Sequence, residues 1–148
     1  IKKYLHAHSR ERNTDDNWPV YRYSNVLLML SEALNETGAS GEALTYLNMV
    51  RKRAGADLPL VNTTNKTQLA NAIQKERRVE LAFENHRWHD LVRTGKAIEV
   101  INAHGVEMKA KYGYLASNSY NLNQDRLIFP IPYLELQLNK LLTQNKGY

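Results

Sequence analysis

The chain contains no cysteine, which excludes disulfides and thiolate metal ligands within its 148 residues but does not fix its compartment. No apolar run approaches the ~20 residues that a membrane-spanning helix needs. The opening residues, Ile1-Lys2-Lys3-Tyr4, lead into polar and basic sequence rather than a signal peptide. A glycine-rich phosphate loop, a serine nucleophile elbow and a cysteine nucleophile are also missing. These absences disfavour an enzyme.

The composition is that of a globular domain, with 43% hydrophobic and 24% charged residues in a chain long enough to bury one core. The net charge is +5, and the basic residues are dispersed apart from one cluster at Lys2, Lys3, Arg10 and Arg12. Many of them alternate with glutamates, as ion pairs do. Since no basic face with a nucleic-acid-binding module is visible, we predict no nucleic-acid partner.

Glycines separate the first two predicted helices. The first should cover residues 19–37 and end before Gly38, and the second should start after Ser40, a plausible N-cap, and stop before Gly55. So short a connection makes the two helices antiparallel neighbours. The positions expected to face the core are Tyr23, Val26, Leu27, Leu30 and Leu34 in the first helix, and Ala43, Leu47, Val50 and Ala54 in the second.

This pair also fits one tetratricopeptide unit, because its large and small residues follow the order that such repeats use. In the first helix Leu27, Leu30-Ser31 and Leu34 occupy those positions. A lone repeat leaves its outer faces uncovered. A tetratricopeptide-like module that binds a protein or peptide is the competing class of function.

The rest of the chain should hold shorter helices and a long irregular segment. We predict a third helix over residues 67–84, a break near Asn85, a short helix ending before Gly95, and a fifth helix over residues 96–104. Residues 109–126 have no clean period and indicate a long loop or short strands. The segment before Pro132 should be extended, followed by a short helix over residues 133–142 and an irregular tail that docks on the body.

The third helix places carboxylates on its inward face. At helical spacing the inward stripe is Leu69, Ile73, Glu76, Glu80 and Phe83. A buried carboxylate needs a cationic partner, and Arg78 nearby or Arg51 and Arg53 from another helix are candidates. We therefore predict a structural ion-pair network made of Glu76, Arg77, Glu80, Glu84, Arg87, Asp90 and Arg93.

The residues of the same segment favour an ion-pair network over a catalytic site or a metal site. His86 and His89 lie three residues apart with Asp90 beside them, but spacing places no third ligand as a metal site requires. The three glutamates lie along one helix with an arginine near each, which keeps them ionised instead of preparing one for acid catalysis. We predict no catalytic residue, no metal and no cofactor.

Three ordered motifs in this chain resemble the SusD/RagB family of outer-membrane nutrient-binding lipoproteins. The most specific is the charged segment Glu76-Arg77-Arg78, Glu80-Leu81, Phe83-Glu84, Arg87, Asp90-Leu91 and Arg93, where Asn85 replaces the usual glycine. The second runs from Arg22 to Asn35 and on to Ala43 and residues 47–55. The third comprises residues 129–132, Glu135, Asn139, Gln144-Asn145 and Gly147-Tyr148, with Lys140 and Lys146 where the family often has proline.

The resemblance implies a mainly α fold: a tetratricopeptide-like helical hairpin packed on further helices, with a long irregular C-terminal segment. It implies that the chain is the C-terminal portion of a longer protein, whose signal peptide, lipid-bearing cysteine and most glycan contacts lie upstream. Its parts would be an irregular lead-in at 1–18, the helix pair at 19–55, the charged helices at 65–105 and the loop-rich tail at 106–148. The whole protein would sit on the outer surface of a Bacteroidetes cell.

The resemblance also implies the partners, which are an oligosaccharide ligand and a TonB-dependent transporter of the SusC type. Membrane contact would come only through a lipid anchor outside this chain. A variant of this reading keeps the family but has peptides as cargo. Sugar rings stack on aromatic faces beside amide donors, and Tyr112, Tyr114 and Tyr120 lie among asparagines. We take these tyrosines and Trp18 as candidate ligand-binding residues, although Trp18 beside a proline could instead brace the first helix.

Overall fold

The computed structural model describes residues 3–4, 7–11, 14–55 and 57–148, and in these residues every regular element is a helix. The expectation of a mainly α fold is thereby confirmed. Lys2 and Arg12 of the predicted basic cluster lie outside the described residues. The helices are α1 (Tyr23–Glu36), α2 (Ser40–Ala54), α3 (Lys66–Glu80), α4 (Arg87–Arg93), α5 (Ala97–Lys111), a 3₁₀ helix (Gln124–Leu127) and α6 (Tyr133–Leu138).

The chain divides into two compact units, residues 1–86 and residues 87–148. The first unit holds α1, α2 and α3 around one apolar core. The core residues are Leu27 and Leu28 of α1, Ala43, Leu47 and Val50 of α2, and Leu69 and Ile73 of α3. In neither unit do the described residues include a helix long and apolar enough to cross a bilayer.

The connection between α1 and α2 is a tight glycine turn. Gly38 has a φ of 93°, a conformation that glycine adopts without strain. The amide of Ala39 donates to the carbonyl of Leu34 at 2.8 Å, which closes the end of α1. Ser40 is the first residue of α2 rather than its N-cap, and its hydroxyl donates to Asn35 Oδ1 at 2.8 Å.

Helix α1 turns a different face to the core than its apolar residues predict. It begins at Tyr23, not at residue 19, and Tyr23, Val26 and Leu30 are 71%, 47% and 39% exposed. The buried residues on this helix are Ser24, Asn25, Leu27, Leu28, Ser31 and Asn35.

The polar residues of α1 are buried because each has a partner. Ser31 Oγ donates to the carbonyl of Ala43 at 2.7 Å, and Asn35 Nδ2 donates to that of Lys66 at 2.9 Å. A buried polar group with a hydrogen bond costs little, and the small Ser31 lets α2 approach closely. The prediction therefore failed because it counted apolar side chains and not hydrogen-bond partners. The tetratricopeptide-like detail stays a prediction.

Helix α3 ends at Glu80, four residues before its predicted end. Asn65 caps its start, with Oδ1 accepting from the amide of Gln68 at 3.1 Å. After Glu80 the chain turns through Phe83 and Asn85, whose φ values of 66° and 63° are left-handed. The expected break at Asn85 is present, but the earlier turn leaves Phe83 60% exposed, so Phe83 does not belong to the inward stripe.

The second unit holds α4, α5, the 3₁₀ helix and α6. Helix α5 runs through Gly105 to Lys111, so the predicted end at residue 104 is wrong. Gly105 is buried, and a Cβ built on it would lie 2.3 Å from Tyr120 Cβ. Gly105 therefore leaves room for the side chain of Tyr120 to pack against α5, and it does not end the helix.

The C-terminal tail pairs with the extended segment before α6 through side-chain amides. Gln144 accepts from the amide of Ile131 at 2.8 Å and donates back to its carbonyl at 3.0 Å. Asn145 Nδ2 donates to the carbonyl of Phe129 at 2.7 Å. Helix α6 stops at Leu138, short of the predicted residue 142, because Asn139 is extended and its side chain accepts from the amide of Leu141.

Candidate functional site

Glu84 is the centre of a buried charge cluster in the first unit. Its side chain is 1% exposed, and Arg22 Nε lies 2.9 Å from one carboxylate oxygen and 2.8 Å from the other. Lys3 Nζ also pairs with this carboxylate. The same ammonium donates to the carbonyls of Glu80 at 2.9 Å and Ala82 at 2.8 Å. Lys3 thus satisfies carbonyls that the end of α3 leaves open.

Glu80 shares Arg22 with Glu84. Arg22 Nη1 lies 2.6 Å from Glu80 Oε1, and Arg22 Nη2 donates to the carbonyl of Glu80 at 2.5 Å. Arg53 of α2 pairs with the same carboxylate oxygen. Arg22 is the N-cap residue of α1, so this one side chain joins the start of α1 to the end of α3.

The cluster holds both glutamates ionised. Burial raises the pKa of Glu84, but hydrogen bonds from Arg22 and Lys3 and their charges outweigh it, and the pKa of Glu84 lies below its usual range. Burial likewise raises the pKa of Glu80, but hydrogen bonds from Arg22 and Ser24 and the charges of Arg22 and Arg53 together outweigh it, and the pKa of Glu80 lies below its usual range. A general acid needs a raised pKa, so neither carboxyl is prepared for acid catalysis.

The lowered pKa values predict a loss of stability in acid. A carboxylate whose pKa is lower in the folded than in the unfolded state contributes its full stabilisation of the fold when the pH is above its unfolded pKa, which is 4.5 for glutamate. It loses that contribution as the pH falls towards its folded pKa. We expect the free energy of unfolding, from urea titrations, to fall steadily below pH ~4.5. Glu84→Gln should flatten this decline, whereas Glu36→Gln, at an exposed surface pair with Lys66, should not. If the free energy of unfolding of Glu84→Gln fell in acid as steeply as that of the original protein, the lowered pKa of Glu84 would be contradicted.

Glu76 and Arg77, the two buried charged residues of α3, also have partners. Arg51 Nη1 of α2 lies 2.5 Å from Glu76 Oε2, and Arg51 Nε donates to the carbonyl of Pro59 at 3.0 Å. Arg77 Nη1 donates to Asn25 Oδ1, at 3.1 Å, inside the core. Of the three cations considered from the sequence, Arg51 and Arg53 of α2 both reach α3, whereas Arg78 is exposed.

The second unit holds the other predicted members of the network. Asp90 in α4 is buried, and Arg93 Nη2 lies 2.8 Å from its Oδ1. Arg87 is the first residue of the same helix. His86 is half-buried and His89 is exposed, and no group of three His, Cys, Asp or Glu residues in the described part of the chain is arranged to hold a metal ion.

The four aromatic candidates lie at three separate places. Trp18, in the first unit, stacks on Tyr4 with ring centroids 5.6 Å apart and planes 8° apart. Tyr112 and Tyr114, in the second unit, form a tilted pair at 5.7 Å, and Tyr114 is 82% exposed. Tyr120, in the same unit, instead meets the ring of His104 edge-on.

Tyr120 lines an open pocket of about 560 Å³ in the second unit. We call it the loop pocket, and its lining residues are Ile101, Asn118, Tyr120, Asn121, Leu122, Asn123, Arg126 and Tyr148. Sequence reasoning identified Tyr120 and its asparagine neighbours but not Arg126 or Tyr148. Nothing in their local pattern marks those two as neighbours, because the fold brings the C-terminal residue back to the loop.

A second pocket, of about 490 Å³, lies in the first unit between α1 and α2. It is lined by Arg22, Tyr23, Ser24, Leu27, Met49, Val50 and Arg53. We call it the hairpin groove. Its surface is mostly apolar, and its two arginines belong to the charge cluster around Glu80.

The whole chain, residues 1–148, matches the SusD family profile. This helical chain with its buried arginine–glutamate cluster therefore belongs to the SusD family, as the three motifs implied. SusD-like protein P38 of Formosa agariphila is 35% identical over 157 aligned positions, which cover 100% of this chain and 28% of the relative. SusD-like protein P2 of the same organism is 35% identical over 150 positions, 96% of this chain and 28% of the relative.

Solved structures agree with the sequence comparison. A SusD homolog from Bacteroides thetaiotaomicron superposes with a TM-score of 0.73 at 31% identity, over 100% of this chain and 30% of that one. A SusD superfamily protein from Bacteroides vulgatus gives a TM-score of 0.72 at 28% identity, over 91% of this chain and 29% of that one. The chain thus spans less than a third of the length of these relatives.

Proposed function

We propose that the chain works as part of a cell-surface glycan-binding protein that captures oligosaccharides and hands them to a TonB-dependent outer-membrane transporter of the SusC type. The observation that carries the proposal is the match of all 148 residues to the SusD family. The mechanism is non-covalent capture, in which no bond is made or broken. Attachment to the membrane is through a lipid anchor outside this chain, on the surface of a Bacteroidetes cell.

The described residues support a scaffold role for the first unit. Its glutamates are held ionised by arginines and a lysine, and such pairs fix one arrangement of helices rather than offering groups to a ligand. The second unit is better suited to ligand contact, since it carries exposed tyrosines and an open pocket lined by amides. Contact with the transporter is proposed from the family alone.

Calorimetry with a glycan panel tests the proposal. The protein that contains this chain, expressed at its natural length, should give saturable heat with at least one oligosaccharide of a panel that includes neutral and acidic members. The same protein should also co-purify with a TonB-dependent transporter from solubilised outer membranes. A panel without any binding would overturn glycan capture, and purification without a transporter would overturn the delivery step.

The hairpin groove favours a second candidate, a module that binds a protein or peptide. Tyr23, Leu27 and Met49 line an apolar depression of the kind in which side chains of a bound peptide can bury surface. Binding of peptides together with a blank glycan panel would favour this candidate. Glycan binding whose affinity is unchanged by Met49→Glu would favour glycan capture.

A further inference from the structure

We propose that the loop pocket is a binding subsite for one sugar ring of an oligosaccharide that carries a negatively charged group, either a carboxylate or a sulfate. This inference rests on the proposed glycan-binding function. It assigns a place and a ligand class to that function within the second unit. Four features of the pocket carry it: its lining, its fixed loop, its tyrosine rings and its arginine.

The lining has the chemistry that recognises sugar hydroxyls. The side-chain amides of Asn118 and Asn121 make no hydrogen bond to any described residue, and both residues are exposed. Each amide offers two donors and an acceptor, which suits the hydroxyls of a sugar ring. A volume of about 560 Å³ lies within the range of ordinary small-molecule sites.

The loop that carries these amides is fixed before any ligand arrives. Asn102 of α5 donates to the carbonyl of Leu122 at 3.0 Å and accepts from its amide at 2.7 Å. Gly105, one turn further along α5, provides the space against which Tyr120 packs. Such anchoring lowers the ordering cost of binding, because the loop has already lost its freedom.

Two tyrosine rings border the pocket in fixed positions. Tyr120 is 37% exposed and is held edge-on by His104 at 5.8 Å between ring centroids. Tyr148 is 44% exposed, and its hydroxyl donates to the carbonyl of Ile128 at 3.0 Å. A fixed aromatic ring with an accessible face is a low-entropy contact surface for a ligand.

Arg126 gives the pocket its preference for negative charge. Its guanidinium lies 4.3 Å from the ring centroid of Tyr148, and none of the described carboxylates forms an ion pair with it. Among the described residues that line the pocket, it is the only charged one. The arginine is thus held in place by a ring while its donors remain available, and guanidinium groups bind planar or tetrahedral anions in two-pronged fashion.

Affinity measurements on matched variants test the subsite. In the protein at its natural length, oligogalacturonides or sulfated galacto-oligosaccharides should bind more tightly than uncharged galacto-oligosaccharides of the same length. Arg126→Gln should weaken the charged ligand about tenfold or more, as loss of a charge-assisted hydrogen bond does. Asn121→Ala should weaken it several-fold. Lys140→Gln removes an exposed cation of the same unit that does not line the pocket, and should leave affinity unchanged.

Chemical protection gives an independent readout. Phenylglyoxal should modify Arg126, detected by peptide mass spectrometry, and the charged oligosaccharide should protect it. An Arg126 that does not react in the whole protein would mean that other parts of the protein cover the pocket, and would overturn the proposal. So would equal affinity of Arg126→Gln, or a preference for uncharged glycans. If the protein binds glycans and these variants do not change the affinity, the subsite proposal is wrong and the proposed function stands. If the protein binds no glycan of the panel, the proposed function itself is wrong.

Discussion

Glu84→Ala should lower the free energy of unfolding by about 2–3 kcal/mol. The side chain is 1% exposed and accepts hydrogen bonds from Arg22 and Lys3, so its removal leaves Lys3 with backbone carbonyls alone and Arg22 with Glu80 as its one carboxylate partner among the described residues. Breaking a fully buried pair costs about 3–5 kcal/mol. The side chains of Arg22 and Lys3 are 29% and 31% exposed, and water therefore compensates part of the loss. Urea titration at pH 7 measures the change.

The matched control is a glutamate whose ion pair lies on the surface. Glu36 pairs with Lys66 at 2.9 Å, but the two side chains are 60% and 54% exposed, and pairs of this kind contribute at most about 1 kcal/mol. Glu36→Ala should therefore change stability by less than about 0.5–1 kcal/mol. The double variant Arg22→Ala/Glu84→Ala should cost less than the sum of the two single changes. A loss below about 0.5 kcal/mol for Glu84→Ala would mean that its carboxylate is solvated.

The charged segment explains why one motif identifies this family. Glu76 and Glu80 lie on the inner side of α3, and Glu84 lies in the turn that follows. Their cationic partners come from α2, from the start of α1 and from the lead-in, and are Arg51, Arg53, Arg22 and Lys3. Such a set of pairs is satisfied in one arrangement only, and buried polar networks of this kind specify a unique packing. The motif therefore describes how the helices of the first unit meet.

Helical periodicity was sufficient to predict most of the inner side of α3. Leu69, Ile73, Glu76 and Glu80 lie inward because 3.6 residues per turn place them on one line. The same reasoning failed at Phe83, since α3 ends at Glu80 and Phe83 lies beyond it in a left-handed turn that leaves its ring exposed. Nothing local in the sequence distinguishes a left-handed phenylalanine from a helical one.

The failures in α1 and in the loop pocket have a common cause. Ser31 and Asn35 are buried because their partners lie on other elements, at Ala43 and Lys66. Arg126 belongs to the pocket because Tyr148, 22 positions later, returns to stack under it. Both relations join residues that are distant in sequence, and periodicity reports only on neighbours along one helix.

Asparagine provides a recurring device that the sequence does not reveal. Asn48 of α2 donates to the carbonyl of Val61 at 2.8 Å and accepts from its amide at 3.0 Å. Asn102 of α5 makes the same pair of bonds with Leu122. In each unit an asparagine side chain on a helix thus makes the two hydrogen bonds that a neighbouring β-strand would make, and so holds the loop that follows the helix. The backbone N–H and C=O groups of the loop residue are thereby hydrogen-bonded without a sheet.

Gly105→Ala should lower the free energy of unfolding by about 2 kcal/mol, although alanine is the better helix former by about 1 kcal/mol. The added Cβ would lie 2.3 Å from Tyr120 Cβ, an atom too close to the backbone to rotate away. The Tyr120 loop must therefore move from α5, and we expect its contact with Asn102 to weaken as well. Thermal or urea unfolding measures the loss, and faster amide hydrogen exchange at Leu122 reports the loop movement.

Second-site changes decide whether the Tyr120 contact is the cause. Tyr120→Ala keeps the Cβ and should not rescue Gly105→Ala, whereas Tyr120→Gly removes that atom and should recover much of the loss. Glycine also suits the φ of 59° at this position, so the double variant gains no backbone strain. Gly41→Ala in α2, where nothing lies within 4 Å of the new Cβ, should be neutral or slightly stabilising. If Gly105→Ala behaves like Gly41→Ala, Tyr120 does not pack on α5, and the loop of the proposed subsite loses one of its two anchors and keeps only the hydrogen bonds of Asn102.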